Sequence, residues 1–404
     1  MNLRLFKVAF ASAWLVSVAS PANAARTYAV SGSCAGFPKV ALTTRPGSCV
    51  GFVGSGLGFP RGLAEHRGHI YITDLGSRLP GRGRVLRVRL DQPWKPVVVL
   101  THLDRPGAIV TGPEGYLYVA ESNRIFRFNP DAPSPAASVQ AVLTGLPTNG
   151  LHNLPGLAIA HGRGLFVSVG AESDNCEDAD GRRPNPNRPC FEFTRRPPRG
   201  SILRLTLKWR LDSRKSLELF ATGIRNALAM VQLPNGALLA ASNGRDNIDA
   251  ADPRLSDELL PHDLLLKVDP GSRHGWPYCF DLDRPSPEFP RANCAAFARP
   301  LVLLPPHAAP LSMLLYRGKL GVGVGAKLVI AFHGYRAAGH RIVAFAADSN
   351  GMPTGSPVDL VWGWTALPNV RPQGAPVAML ALADGSILVL EDHNGSLLRL
   401  AAAR

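Results

Sequence analysis

Short apolar runs, each opened by a glycine turn, recur along the whole chain. They read GHIYITD from Gly68, GYLYVAE from Gly115, GRGLFVSVG from Gly162, GALLAAS from Gly236, GAKLVIAF from Gly325 and GSILVLED from Gly385. Each has the length and composition of a buried strand bounded by a turn. A second phrase follows each one: GRVLRVRL from Gly83, NRIFRF from Asn123, GSILRL from Gly200, LLLKVD from Leu264, GHRIVAF from Gly339 and GSLLRL from Gly395. Several of these alternate basic and apolar residues, as a half-exposed strand does. Six copies of a strand-turn-strand unit predict an all-β chain arranged as a six-bladed β-propeller. The first two intervals match a blade of about 40–50 residues. The later ones are longer, which assigns insertions to blades three, four and five. Length and unit size disfavour a β-sandwich or a β-helix. The first and last blades are expected to share strands where the ring closes.

Composition supports this reading. The 40 glycines and 36 prolines are spread along the sequence, which argues against long helices, and 46% hydrophobic residues supply a sizeable core. At the N-terminus, Arg4 and Lys7 precede an apolar run from Val8 to Ala19, then Pro21-Ala-Asn-Ala24. That is the pattern of a cleaved secretory leader, 1–24, too short in its apolar part to span a bilayer. The mature chain is expected in the periplasm or outside the cell, with no membrane span. It divides into an extension, 25–57, and the propeller, 58–404. Six cysteines fit an oxidising compartment. They permit fifteen connectivities, and short loops favour Cys34 with Cys49, Cys176 with Cys190 and Cys279 with Cys294. No CxxCH or CxxC occurs, which excludes covalent c-type haem and a zinc ribbon. The net charge of +14 is scattered, often beside prolines as in Arg195-Arg-Pro-Pro-Arg199, and lacks interleaved aromatics. A solvated basic surface, not a nucleic-acid interface, is the expectation.

A propeller assigns no chemistry by itself, so the loops must. Four are rich in His, Arg, Asn and Asp: Gly150–Ala160, Phe220–Met230, Ser242–Asp263 and Gly271–Phe280. The phrases GIRNALAMVQLPNGALLAASNGRDNID, SRHGWPYCF and AFHGYR, in that order, resemble the glucose/sorbosone dehydrogenase family, closer to its sorbosone-type branch. The resemblance runs from about Gly58 to Leu400. It implies a soluble six-bladed propeller that uses pyrroloquinoline quinone and Ca2+ to oxidise a sugar or related alcohol and passes electrons to a separate acceptor.

Position by position, His152 is similar to the family's catalytic base, and imidazole can take a hydroxyl proton near neutral pH. Arg225 and Asn226 stand where the family's RN pair contacts the quinone oxygens, Arg225 stabilising charge that develops on the ring. Gly244 and Arg245 resemble the backbone-carbonyl pair that holds calcium, with Asp246, Asn247, Asp249, Asp257 and Glu258 nearby as further oxygens. His274, Trp276 and Tyr278 resemble an aromatic rim for the flat cofactor. Arg371, and more weakly Arg336, stand as partners for its carboxylates. Two departures bear on substrate. Leu151 precedes His152 where glucose-oxidising members carry Asp, and HLDRPGAIV lacks the Gln of the second blade's inner loop. Glucose is therefore not the expected substrate. Two other classes stay open: a non-catalytic propeller that binds a glycan or other ligand, and a calcium-dependent lactonase-type hydrolase.

Overall fold

A computed structural model of the chain describes residues 28–77, 79–161, 164–178, 180–207, 216–320, 325–364 and 374–403. Residues 1–24, expected to be a secretory leader, and Arg371 lie outside the described residues. The rest is mostly β and forms a six-bladed propeller.

Each blade is an antiparallel meander. Blade one runs Pro60–His66, His69–Asp74, Gly83–Val88 and Val97–Leu103. Blade two runs Ile109–Thr111, Leu117–Ala120, Arg124–Phe128 and Gln140–Thr144. Blade three, Leu157–Ala160, Gly164–Val169, Ser201–Thr206 and Ser216–Thr222, gains a short parallel strand, Ser272–Arg273, on its outer edge. Blade four is Ala229–Gln232, Leu238–Ser242, Asp263–Val268 and Val302–Leu304. Blade five is Pro310–Tyr316, Lys327–Phe332, Arg341–Ala347 and Pro353–Trp362.

Blade six takes three strands from the C-terminal end and its fourth from the N-terminal end. Pro376–Ala381, Ile387–Glu391 and Ser396–Ala402 are followed by Ser48–Gly54, with Leu398 opposite Phe52 and Leu400 opposite Val50. This pairing closes the ring and removes the free edge of the last C-terminal strand. Phe37–Val40 and Val30–Cys34 extend the same sheet, and Thr43–Thr44 edges blade five. The described part of the N-terminal extension is thus built into two blades. Tyr28 is buried there, its hydroxyl accepting a hydrogen bond from Trp364 Nε1 at 3.1 Å.

The recurring phrases are the second and third strands of the blades. Those second strands are mostly apolar because both faces are covered. In Leu117–Ala120, Leu117 and Val119 pack on blade one while Tyr118 and Ala120 pack on blade three. Six such apolar seams, one per junction, make up the core. The glycines that open the phrases at 68, 115, 236, 325 and 385 all sit at positive φ, 75° to 110°. A side chain is strained in that turn, which is why the sequence repeats glycine there.

All three cysteine pairs form the expected short-loop disulfides, 14 or 15 residues apart. Cys34–Cys49 staples blade six, and the other two staple the insertions of blades three and four. No helix among the described residues is long and apolar enough to cross a membrane.

Candidate functional site

The first strands of the six blades surround the axis. At their N-terminal ends, where the insertions of the later blades gather, a cavity of about 380 Å³ opens. Its polar wall is Arg61, His152, Asn243, His333 and Tyr335. Leu151, Leu154, Leu228, Leu311 and Val377 supply the apolar remainder. A narrower space of about 300 Å³ continues down the axis between the strands.

His152 precedes the first strand of blade three. Its Nδ1 is 3.1 Å from the carbonyl of Ala171. A carbonyl only accepts, so Nδ1 carries the proton and Nε2 is left as the lone-pair nitrogen. Burial, then the charge of Arg225, pushes the imidazole down to about 3, so it is neutral at physiological pH. Gly170 makes this placement possible. A Cβ there would stand 2.5 Å from His152 Cβ and 3.3 Å from Asn226 Oδ1.

Two polar atoms of the wall are unpaired. Arg61 Nε and Asn243 Oδ1 are buried and have no hydrogen-bond partner among the described residues. One is a donor and one an acceptor. Each orphan costs about 1–3 kcal/mol as it stands.

Arg225 stands behind His152, not on the cavity wall. It is 3% exposed and fully engaged. Nε donates to the carbonyl of Asp174 at 3.0 Å and Nη1 to that of Gly244 at 2.5 Å, while Nη2 pairs with the Asp174 and Asp246 carboxylates. Asn226 is buried beside it, its carbonyl accepting the Asn243 amide at 2.9 Å. The network continues outward. Arg245 pairs with Glu288 at 2.6 Å and with Asp174 at 3.6 Å. His307 bridges Asp246 and Asp257, its hydrogen bond with Asp246 raising its proton affinity. Arg336 pairs with Asp257 at 2.5 Å and remains 42% exposed at its side chain. Asp263 accepts the Gly244 and Ala309 amides at 2.6 Å each, and its burial pushes it up to about 6.

The three residues expected as an aromatic rim lie elsewhere. Trp276 packs with Ala171, Phe193 and the Cys176–Cys190 disulfide, and its Nε1 donates to the Asp174 carbonyl at 3.1 Å. Tyr278 stacks on Phe297 and accepts the Cys190 amide through its hydroxyl at 2.8 Å. His274 is buried, 3.1 Å from Ser272 Oγ, and burial pushes it down to about 4. These three hold the insertions in place and do not line the cavity. The geometry brings His152, Asn226 and Arg225 together and sets Arg336 at the far end of the ion network.

Sequence reasoning passed over Arg61, Asn243, His333 and Tyr335. Asn243 lies inside the SNGRDN phrase, and His333 and Tyr335 lie inside AFHGYR, so the cavity draws on the same phrases through other residues. Arg61, in FPRGL, is the second residue of the first strand of blade one and carried no signal of its own.

No protein-family model matches the chain, and no curated protein matches it. Solved structures do. The holo form of the pyranose dehydrogenase PQQ domain from Coprinopsis cinerea superposes with a TM-score of 0.69 at 20% identity, covering 91% of this chain and 99% of that one. The calcium structure of the Trichoderma reesei carbohydrate-active enzyme family AA12 gives 0.71 at 17% identity, over 90% and 97%. The PQQ-bound aldose sugar dehydrogenase from Streptomyces coelicolor gives 0.59 at 17%, over 89% and 100%. The chain shares the fold of these six-bladed sugar dehydrogenase propellers over nearly its whole length.

Proposed function

We propose that the chain is an exported dehydrogenase that oxidises a sugar or related alcohol with pyrroloquinoline quinone held in the axial cavity. One observation carries the reading. His152, with Nε2 left unprotonated, lines one cavity together with Arg61 and Asn243, whose Nε and Oδ1 have no partner among the described residues. The quinone offers carboxylate and carbonyl acceptors for Arg61 and a pyrrole N–H for Asn243, so the residues present fit it. When bound, it supplies the two-electron acceptor for the carbinol hydride.

The chain's own residues do the rest. His152 Nε2 takes the hydroxyl proton as the C–H bond breaks, and the Ala171 carbonyl stabilises the imidazolium through Nδ1. Arg225 keeps that imidazole neutral beforehand and holds the Asp174 and Gly244 segments against it. Leu151, Leu154 and Leu228 cover the apolar face of the guest. Electrons leave to a separate acceptor. Arg225 Nη1 donates to the Gly244 carbonyl at 2.5 Å, which leaves that oxygen one lone pair, and no step is assigned to a metal there.

The test is reconstitution. Purified protein is titrated with the quinone and followed by its absorbance shift, then assayed for dye reduction over a panel of sugars and polyols. Saturable binding, substrate-dependent dye reduction and a His152→Ala variant that binds the quinone without turnover are expected. Sugar binding with no quinone binding would instead identify a glycan-binding propeller. Lactone hydrolysis without dye reduction would identify a hydrolase.

A further inference from the structure

A second cluster of ligand-type side chains meets where blades five and six approach the same cavity. His333 follows the second strand of blade five, and Asp392 and His393 follow the second strand of blade six. One donor atom from each of the three lies within 4.8 Å of the others. His333 and Asp392 are buried, with His333 Nε2 at 3.0 and 3.2 Å from the two carboxylate oxygens. Donors bound to one tetrahedral ion at about 2.0–2.2 Å stand roughly 3.3 Å apart, so this pair is already at ligand spacing.

The hydrogen bond between His333 and Asp392 accounts for only part of the cluster. His340, 6% exposed, turns Nδ1 to the Gly374 carbonyl at 2.6 Å, which leaves Nε2 as a lone-pair nitrogen. That Nε2 is buried with no partner among the described residues, and so is Nδ1 of His393, whose ring centroid is 6.0 Å from that of His340. An imidazole whose Nδ1–H is held by a backbone carbonyl is the arrangement that prepares Nε2 for a metal. The Tyr335 ring stacks on His393 at 16° and fixes its plane. Arg61 Nη1 donates to Asp392 Oδ2 at 2.6 Å, and Oδ1 meets His333 Nε2 at 3.0 Å, the contact an ion would replace. His340 also sits at φ 55°, a left-handed backbone that a side chain adopts at some energetic cost.

We propose that His333, Asp392 and His393, with His340 adjacent as a fourth donor, bind one divalent transition-metal ion of the zinc or copper class. Imidazole and carboxylate donors suit those ions, whereas calcium takes oxygens alone. Since His333 lines the axial cavity, the ion would border the guest. The proposal does not rest on the quinone reading, because the ion is measured with no quinone present.

Untagged protein is freed of metal with a chelator, then titrated with zinc chloride by calorimetry and with cobalt chloride by visible absorption. One equivalent of zinc bound more tightly than about 10 µM, and cobalt ligand-field bands, are expected. His393→Ala and His340→Gln should each weaken zinc about tenfold or more and reduce the cobalt bands, with circular dichroism unchanged. Wild-type protein that takes up no stoichiometric zinc overturns the proposal. So does affinity that survives both substitutions, which would place the ion elsewhere.

Discussion

His152 stays neutral far into acid, and this can be tested without knowing the substrate. In the folded chain its imidazole is held down to about 3 by burial and by Arg225, whereas in the unfolded chain it titrates near 6.5. Between those values the unfolded state binds the extra proton, so stability falls as pH falls. Lowering the pH from 7.5 to 5.0 crosses about 1.5 units below the unfolded value, worth about 2 kcal/mol at roughly 1.4 kcal/mol per unit. At pH 5.0 the loss is set by the unfolded value alone, so it does not depend on how deep below 4 the folded value lies. The perturbation is His152→Gln, which cannot titrate. Equilibrium urea unfolding of both proteins at the two pH values, read by tryptophan fluorescence, gives two stability gaps. Other shifted groups, such as His274 and Glu391, contribute to both proteins and cancel. The gap should shrink by about 2 kcal/mol in the variant. An unchanged gap would refute the buried neutral imidazole, and with it the placement of an unprotonated base in the cavity.

Three further outcomes follow from the geometry. Gly170→Ala should cost about 1–3 kcal/mol and weaken quinone binding, because the new Cβ falls 2.6 Å from the His152 carbonyl oxygen; wild-type urea midpoint and affinity would show that the loop yields freely. Replacing Cys176 and Cys190 with Ser releases a 14-residue closure worth up to about 3 kcal/mol. Limited proteolysis should then cut within 171–199 while the β-sheet circular dichroism persists, and protection equal to wild type would contradict a local role. Deleting residues 28–54 exposes Ser396–Ala402 as an edge, so unfolding should lose its single cooperative transition; a sharp wild-type melt would mean the ring does not need that strand.

The propeller was legible because its signal is local. Glycine-opened apolar second strands repeat six times, five of the glycines at positive φ among the described residues, and each copy reports its own geometry without reference to the others. The position of His152 on the cavity wall was legible too, through a loop phrase that places a histidine just ahead of an inner strand. The side chains that complete the cavity were not. Arg61, Asn243, His333 and Tyr335 come from blades one, four and five, and only closure of the ring makes them neighbours. Trp276 shows the same limit from the other direction. Gly-Trp-Pro predicts a rigid turn but not which way the indole points. The apolar floor supplied by Phe193 and the Cys176–Cys190 bridge drew it into the insertion.

Ring closure divides the two kinds of information in the same way. The sequence by itself determined strand content, blade number and the disulfide pairs, all set by residues within one turn or one short loop of each other. Only the tertiary structure decided that Ser48–Gly54 completes the blade begun by Pro376–Ala381, and that Arg225 spends its guanidinium on Asp174 and the Gly244 carbonyl. Those outcomes depend on which charged and apolar groups arrive at one point from distant parts of the chain. Burial then selects the partners by the free-energy cost of leaving any of them unpaired.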